Sequence, residues 1–214
     1  MPPNAYPAPP MPGSSEERPR ESSRPINEPK RADRGGQADR VRRRPGRKEE
    51  LRELDLSVLR AMRTRWHTPG MEAAAKAVGK AGNNAAVWVI LGLVLALIDP
   101  DRRESWLICA LLGPFAIGLN YGIKLIVKRP RPVLEGLPSL GGAPSSLSFP
   151  SAHATSSFAV AVAMVRVDPA TASTLLVAAA LSLGRPYLGM HYPSDVLAGA
   201  VLGVFLGLIV PLSL

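Results

Sequence analysis

The chain has 214 residues, 46% hydrophobic and 20% charged, with a formal net charge of +9, an average that suits one basic soluble domain. That average joins two materials: residues 1–82 carry 18 basic and 11 acidic side chains, a net +7, whereas residues 83–214 carry 8 and 6, a net +2. The split excludes a single soluble globule, and a lone cysteine, Cys109, with no Cys/His cluster of zinc spacing excludes a disulfide scaffold and a structural zinc site.

Residues 1–50 hold 10 of the 22 prolines and close on the basic run from Arg42 to Lys48. With almost no large aliphatic side chains they cannot bury enough apolar surface to offset their ordering entropy, and we read them as a disordered tail. Met1 to Gly13 is proline-rich where a secretory signal has an apolar run. Membrane insertion is therefore expected from later segments. No aromatic residue interleaves the arginines, so nucleic acid is not expected as a partner. The positive tail reads as a topology signal and a contact for anionic lipid.

Leu51, Leu54, Val58, Leu59 and Met62 recur at helical spacing and predict an amphipathic helix lying at a membrane surface. Thr68-Pro69-Gly70 interrupts it, and Met71 to Ala81 predicts a second, weaker helix too polar to span. Residues 51–82 are thus assigned to surface helices and residues 83–214 to a membrane domain.

Five apolar segments follow, Asn84 to Ile98, Ser105 to Val127, Ala152 to Val167, Ala170 to Leu183 and Asp195 to Leu214. The expected fold is all-α, a polytopic membrane bundle of about five transmembrane helices. The second and fifth segments reach the roughly 20 residues a bilayer core requires, and the shorter others rely on packing within the bundle. A soluble bundle fails on Val196 to Val210, which has no charged side chain around its circumference. Gly199, Gly203 and Gly207 form a small-residue face. We expect that face to pack inside the chain against Gly118 and Gly122, with a homodimer seam as the alternative.

The ionisable residues of the apolar region gather in three places: Lys124 with Arg131-Pro132, Ser151 with His153, and Arg185 with His191 and Asp195. In an antiparallel bundle the end of the second span, the start of the third, the end of the fourth and the start of the fifth share one membrane face. Cations converging there with a helix start suit a tetrahedral oxyanion, and phosphate is the commonest. Backbone N–H groups near Ser151 and Ala152 are expected to point at it. Binding alone needs no histidine. One imidazole that attacks phosphorus and another that protonates the departing oxygen are the parts of a metal-free phosphate ester hydrolysis. Asp195, four residues after His191, is placed to hold the attacking ring in its tautomer. Lys128 and Arg129 read as positive flanks of a span.

These residues resemble the type 2 phosphatidic acid phosphatase superfamily, whose signature is K-x6-R-P, P-S-G-H and S-R-x5-H-x3-D. Lys124 to Pro132 matches the first part, and Arg185, His191 and Asp195 keep the spacing of the third. Ala152 replaces the usual glycine, and Gly184 the usual serine, which removes one phosphate or arginine contact. The resemblance covers roughly residues 51–214. It implies that His191 is a nucleophile forming a phosphohistidine, Asp195 its orienter and His153 the general acid. It implies that Lys124, Arg131, Ser151, Ala152 and Arg185 bind the phosphate, and that no metal or other cofactor takes part.

With five spans the site shares a face with the Arg-rich N-terminus, and the positive-inside rule puts both in the cytoplasm. Gly82 to Trp88 looks like small actinobacterial members of the family, some of which dephosphorylate decaprenyl-phosphoryl phosphoribose. The expected partner is a membrane lipid phosphate of that polyprenyl type. Polyprenyl pyrophosphate, phosphatidylglycerophosphate and phosphatidate are alternative substrates, and a lipid phosphotransferase with the same nucleophile is an alternative reaction. A vanadate-dependent haloperoxidase shares the motif set but is larger and soluble, and a non-catalytic lipid binder has no need of His191 or His153.

Overall fold

The computed structural model describes residues 46–213 except Trp66, Ala143 and Pro144. The tail expected to be disordered lies outside these as far as residue 45. Seven α-helices run through the described residues: α1 (Arg47–Arg65), α2 (Pro69–Ala81), α3 (Ala86–Ile98), α4 (Arg103–Val127), α5 (Ala152–Val167), α6 (Thr174–Tyr187) and α7 (Pro193–Ile209). No strand is present among them. Helix α1 starts inside the segment read as tail, its first turn carrying Glu49 and Glu50 where the helix dipole favours acids. Thr68 does not merely interrupt: its hydroxyl caps α2 by accepting the Met71 N–H at 3.1 Å, and Pro69 takes the first helical position.

Helix α5 is central. It packs most heavily on α7, then on α4 and α6, while α3 lies against α4 and α2 against α6. Its sequence is rich in Ala, Ser and Val, and Ala154, Ala159, Val160, Ala161, Ala163 and Met164 are fully enclosed. Small side chains on most of its faces allow neighbours on several sides. Trp88 of α3 donates its indole N–H to Ser157 of α5 at 3.0 Å, and Asn120 of α4 donates to Thr155 at 3.0 Å.

The small-residue seam is internal, but its partner differs from the expected one. A Cβ added to Gly199 would stand 2.6 Å from the Ser151 carbonyl, one on Gly207 2.5 Å from that of Ala159, and one on Gly203 would meet the Thr155 carbonyl. Each glycine thus lets α7 rest directly on the backbone of α5. Gly118 and Gly122 are exposed and would meet nothing within 4 Å. Because α5 fills the glycine face, that face is not free to form a seam between two copies.

Only one segment among the described residues, Pro100–Val127, is both long and apolar enough to cross a membrane. Ala86–Ile98, Ala152–Val167 and Pro193–Ile209 are shorter apolar helices. At 1.5 Å per residue the 17 residues of α7 measure about 25 Å, short of the 20-residue span expected there, because the helix stops at Ile209 before Pro211. Conversely, α6 runs past the expected Leu183 to Tyr187 and so carries Arg185 in its last turn. At the end of α5 away from Ser151, Arg102 pairs with Asp99 at 2.7 Å and Asp168 at 3.1 Å, tying two turns together.

Candidate active site

The three sequence clusters meet around one cavity of about 390 Å³, lined by Lys124, Arg131, Ala152, His153, Arg185 and His191 together with Asn83, Asn120 and Ser156. Lys124 reaches it from the last turn of α4 and Arg185 from the last turn of α6, so both cations sit at helix C-termini, where the dipole favours them. Both are almost fully enclosed, at 6% and 5% exposure. The Lys124 ammonium donates to the Leu147 carbonyl at 3.3 Å. Arg131 is fixed by Nε donating to the Ser145 carbonyl at 2.7 Å and Nη1 donating to the Met190 carbonyl.

His191 arrives on a turn made possible by Gly189, whose φ of +73° is a left-handed conformation that suits glycine. A Cβ there would also strike Arg63 at 2.6 Å. The His191 ring is 3% exposed. Its Nε2 stands 3.4 Å from Arg131 Nη1, facing the cations, and its Nδ1 lies 3.7 Å from Asp195 Oδ2, just beyond hydrogen-bond reach. Burial, with the charges of Arg131 and Lys124, brings this histidine down to about 4 against the pull of Asp195. At neutral pH the ring is uncharged, as a nucleophile needs. His153 stands in the first turn of α5 on the same cavity, its Nε2 3.4 Å from the Gly79 carbonyl of α2.

The helix-start expectation needs one correction. Ser151 precedes α5, but its N–H already donates to the Asp195 carbonyl at 3.0 Å and is not available to an anion. The first intrahelical bond runs from Thr155 N–H to Ser151 at 3.0 Å, so the amides ahead of it, those of Ala152, His153 and Ala154, are the ones a helix start leaves open. The Ser151 hydroxyl is buried without a hydrogen-bond partner among the described residues.

Arg129, expected as a positive flank, lies inside the site's support. Its Nη1 donates to Asp195 Oδ1 at 2.7 Å and its Nη2 to Asp55 Oδ2 at 2.8 Å, with the guanidinium 3.9 Å above the Tyr192 ring. Asp55 and Asp195 hold Arg129 above the usual guanidinium range although burial works against it. The sequence assigns Arg129 only a flanking role and Asp55 none. The available signal was Asp55 itself, a carboxylate one turn from both Leu51 and Leu59 in an apolar stripe. Lys128 is exposed, with φ of +51° just past the end of α4, and takes no part.

Residues 104–214 match the family model described as the PAP2 superfamily. The chain belongs to the PAP2 superfamily. Among its PAP2 relatives, the decaprenylphosphoryl-5-phosphoribose phosphatase of Mycobacterium tuberculosis is 40% identical over 142 residues, 66% of this chain and 80% of the relative. The undecaprenyl-diphosphatase BcrC of Bacillus subtilis is 30% identical over 111 residues, covering 51% and 58%. Among solved PAP2 structures, the transmembrane PAP2-type phosphatidylglycerolphosphate phosphatase of Bacillus subtilis superposes with a TM-score of 0.60 at 22% identity, covering 80% of this chain and 87% of that one. Aquifex aeolicus LpxE superposes with a TM-score of 0.59 at 24% identity, covering 73% and 93%. The PAP2 fold, and with it the all-helical class, agrees with the sequence reading, and the relatives' names carry its expectation of a phosphatase.

Proposed function

We propose that this PAP2 chain is an integral membrane phosphatase that hydrolyses a polyprenyl-type lipid phosphate monoester, foremost decaprenyl-phosphoryl phosphoribose, through a phosphohistidine on His191. The observation that carries the chemistry is the convergence on one cavity of two histidines, the enclosed Lys124 and Arg185, and the half-buried Arg131. The 40% identity to the mycobacterial phosphatase supports the choice of substrate.

In the proposed reaction Lys124, Arg131, Arg185 and the open amides of α5 hold the phosphate oxygens, and Ser151 offers its unpartnered hydroxyl. His191 Nε2 attacks phosphorus as the bond to the lipid-side oxygen breaks, and His153 gives that oxygen its proton. Asp195 stabilises the positive charge the ring acquires, much as a carboxylate does in a serine-protease triad. Water then attacks phosphorus, His153 takes its proton, the P–N bond breaks, and inorganic phosphate leaves with His191 regenerated. No step calls on a metal ion. Fixed cations in a water-poor site supply the transition-state stabilisation.

Helices α3 to α7 are read as five membrane crossings, the four shorter ones matched to the bilayer by local thinning and tilt of their neighbours. Asp55 of α1 touches Arg129 and Ser194 at the site, which supports placing the N-terminal side and the site on one face. The positive tail puts that face in the cytoplasm. Residues 1–50, 51–82 and 83–214 keep their proposed roles as tail, surface helices and catalytic domain, except that α1 begins at Arg47.

The test is phosphate release by the purified chain from decaprenyl-phosphoryl phosphoribose, undecaprenyl pyrophosphate, phosphatidylglycerophosphate and phosphatidate, with a chelator present. Release from the first, abolished in His191→Ala, is expected. Full activity of His191→Ala, or release from every lipid but the first, would overturn the mechanism or the substrate respectively.

A further inference from the structure

Arg129 bridges two carboxylates that come from distant parts of the chain. One of them, Asp55, lies on α1, outside the residues that match the family model. Asp55 is 7% exposed, and its Oδ1 accepts the Ser194 N–H at 3.0 Å while Oδ2 accepts the Ser194 hydroxyl and Arg129 Nη2. It thereby satisfies an amide at the start of α7 that no residue of α7 itself satisfies. Asp195 is one residue further on. Its Oδ1 takes Arg129 at 2.7 Å and its Oδ2 takes the Tyr192 N–H at 2.9 Å, which leaves Oδ2 turned toward His191.

We infer that Asp55 and Arg129 are positioning residues that set the geometry and charge of Asp195, and through it the tautomer and reactivity of His191. This rests on the reading of His191 as the nucleophile. Arg129 and Asp195 alone sum to zero charge, so an unassisted Arg129 would cancel the carboxylate that has to stabilise a cationic phosphohistidine. With Asp55 the three groups sum to −1. The other groups facing His191 are positive or neutral: Arg131 from the α4–α5 connection and Lys124 of α4, with His153 of α5 and Arg185 of α6 on the same cavity. The negative charge delivered by Asp55 is therefore the counterweight to three cations, and α1 is part of the catalytic support.

The test is a double-mutant cycle on the full chain with decaprenyl-phosphoryl phosphoribose as substrate, paired with nitrogen NMR of labelled histidine at neutral pH. The chain has only three histidines, so His191 is assigned by its own substitution. Asp55→Asn should lower kcat about tenfold with little change in KM, yet have almost no effect in an Asp195→Asn background, since residues that act as one unit are not additive. In the wild type His191 should show the Nδ1–H tautomer; the same variant should shift it toward a mixture and leave His67 unchanged. Arg129→Lys, which keeps the charge without the fork, should do likewise. Equal losses in both backgrounds would make Asp55 a merely structural residue and overturn the inference, as would an unchanged His191 tautomer. Absence of phosphate release by the wild type defeats the functional reading instead, and the tautomer measurement still decides this one.

Discussion

Gly203→Ala tests the packing that aligns the site. A Cβ at this position would overlap the Thr155 carbonyl and stand 3.0 Å from both the Ala159 amide nitrogen and Phe158 Cβ. Two of these three neighbours are α5 backbone, so no flexible side chain can swing away, and α5 and α7 must separate by several tenths of an ångström. Overpacking of this kind costs about 1–3 kcal/mol, a fall in Tm on the order of 5 °C for a domain of this size. Separation also strains the Ser151 N–H to Asp195 carbonyl bond of 3.0 Å, which ties the start of α5 to the start of α7. Activity should therefore fall together with stability. Thermal unfolding in detergent and phosphate release, measured on the same preparation, give the two readings. Gly118→Ala and Gly122→Ala, at positions with open space, should change neither by more than the error. A Gly203→Ala protein with unaltered Tm and kcat would refute the seam, and so would equal effects from Gly118→Ala.

Restoring the usual serine by Gly184→Ser should be tolerated, because the nearest neighbour of a new Cβ is the Ala75 carbonyl at 3.9 Å; a loss of Tm beyond about 2 °C in the thermal assay would contradict that geometry. With His191 held near 4 rather than its ordinary 6.5, the unfolded chain takes up this proton first as pH falls. Its contribution to stability is thus complete above about 6.5 and is lost toward 4. The acid limb of kcat/KM, corrected for substrate ionisation, should fall near pH 4, and a limb near 6.5 in the pH–rate profile would contradict the buried neutral ring. Cys109 is fully buried and should resist a membrane-impermeant maleimide. Gly142→Cys should label in inside-out vesicles and not in intact cells, and rapid labelling of intact cells would reverse the proposed sidedness.

The site was legible because its residue types are costly in an apolar sequence. Lys124, Arg131, Arg185 and the two histidines stand out against spans with almost no charge, and their grouping survives folding since Lys124, His153 and Arg185 are anchored at helix ends while Arg131 and His191 lie in the connections next to them. What escaped was support that crosses the chain. Asp55 and Arg129 are 74 residues apart, and each has a bland local explanation, one as a polar break in an amphipathic stripe and the other as a flanking cation. The partner of the glycine face escaped for a related reason. Gly118 and Gly122 have the right spacing, but small-residue spacing does not say which helix arrives, and the Ala/Ser-rich surface of α5 offered a closer fit. Helix ends shifted where local chemistry ruled: Pro193 starts α7 before Asp195, and α6 continues through Pro186 to Tyr187.

Rapid quenching of the purified chain with a lipid substrate carrying a radiolabelled phosphate addresses the nucleophile directly. An acid-labile, alkali-stable phosphoenzyme should accumulate within the first turnover, map to His191, and be absent from His191→Ala. A label on another residue, or full turnover with no covalent phosphoenzyme formed, would contradict the account.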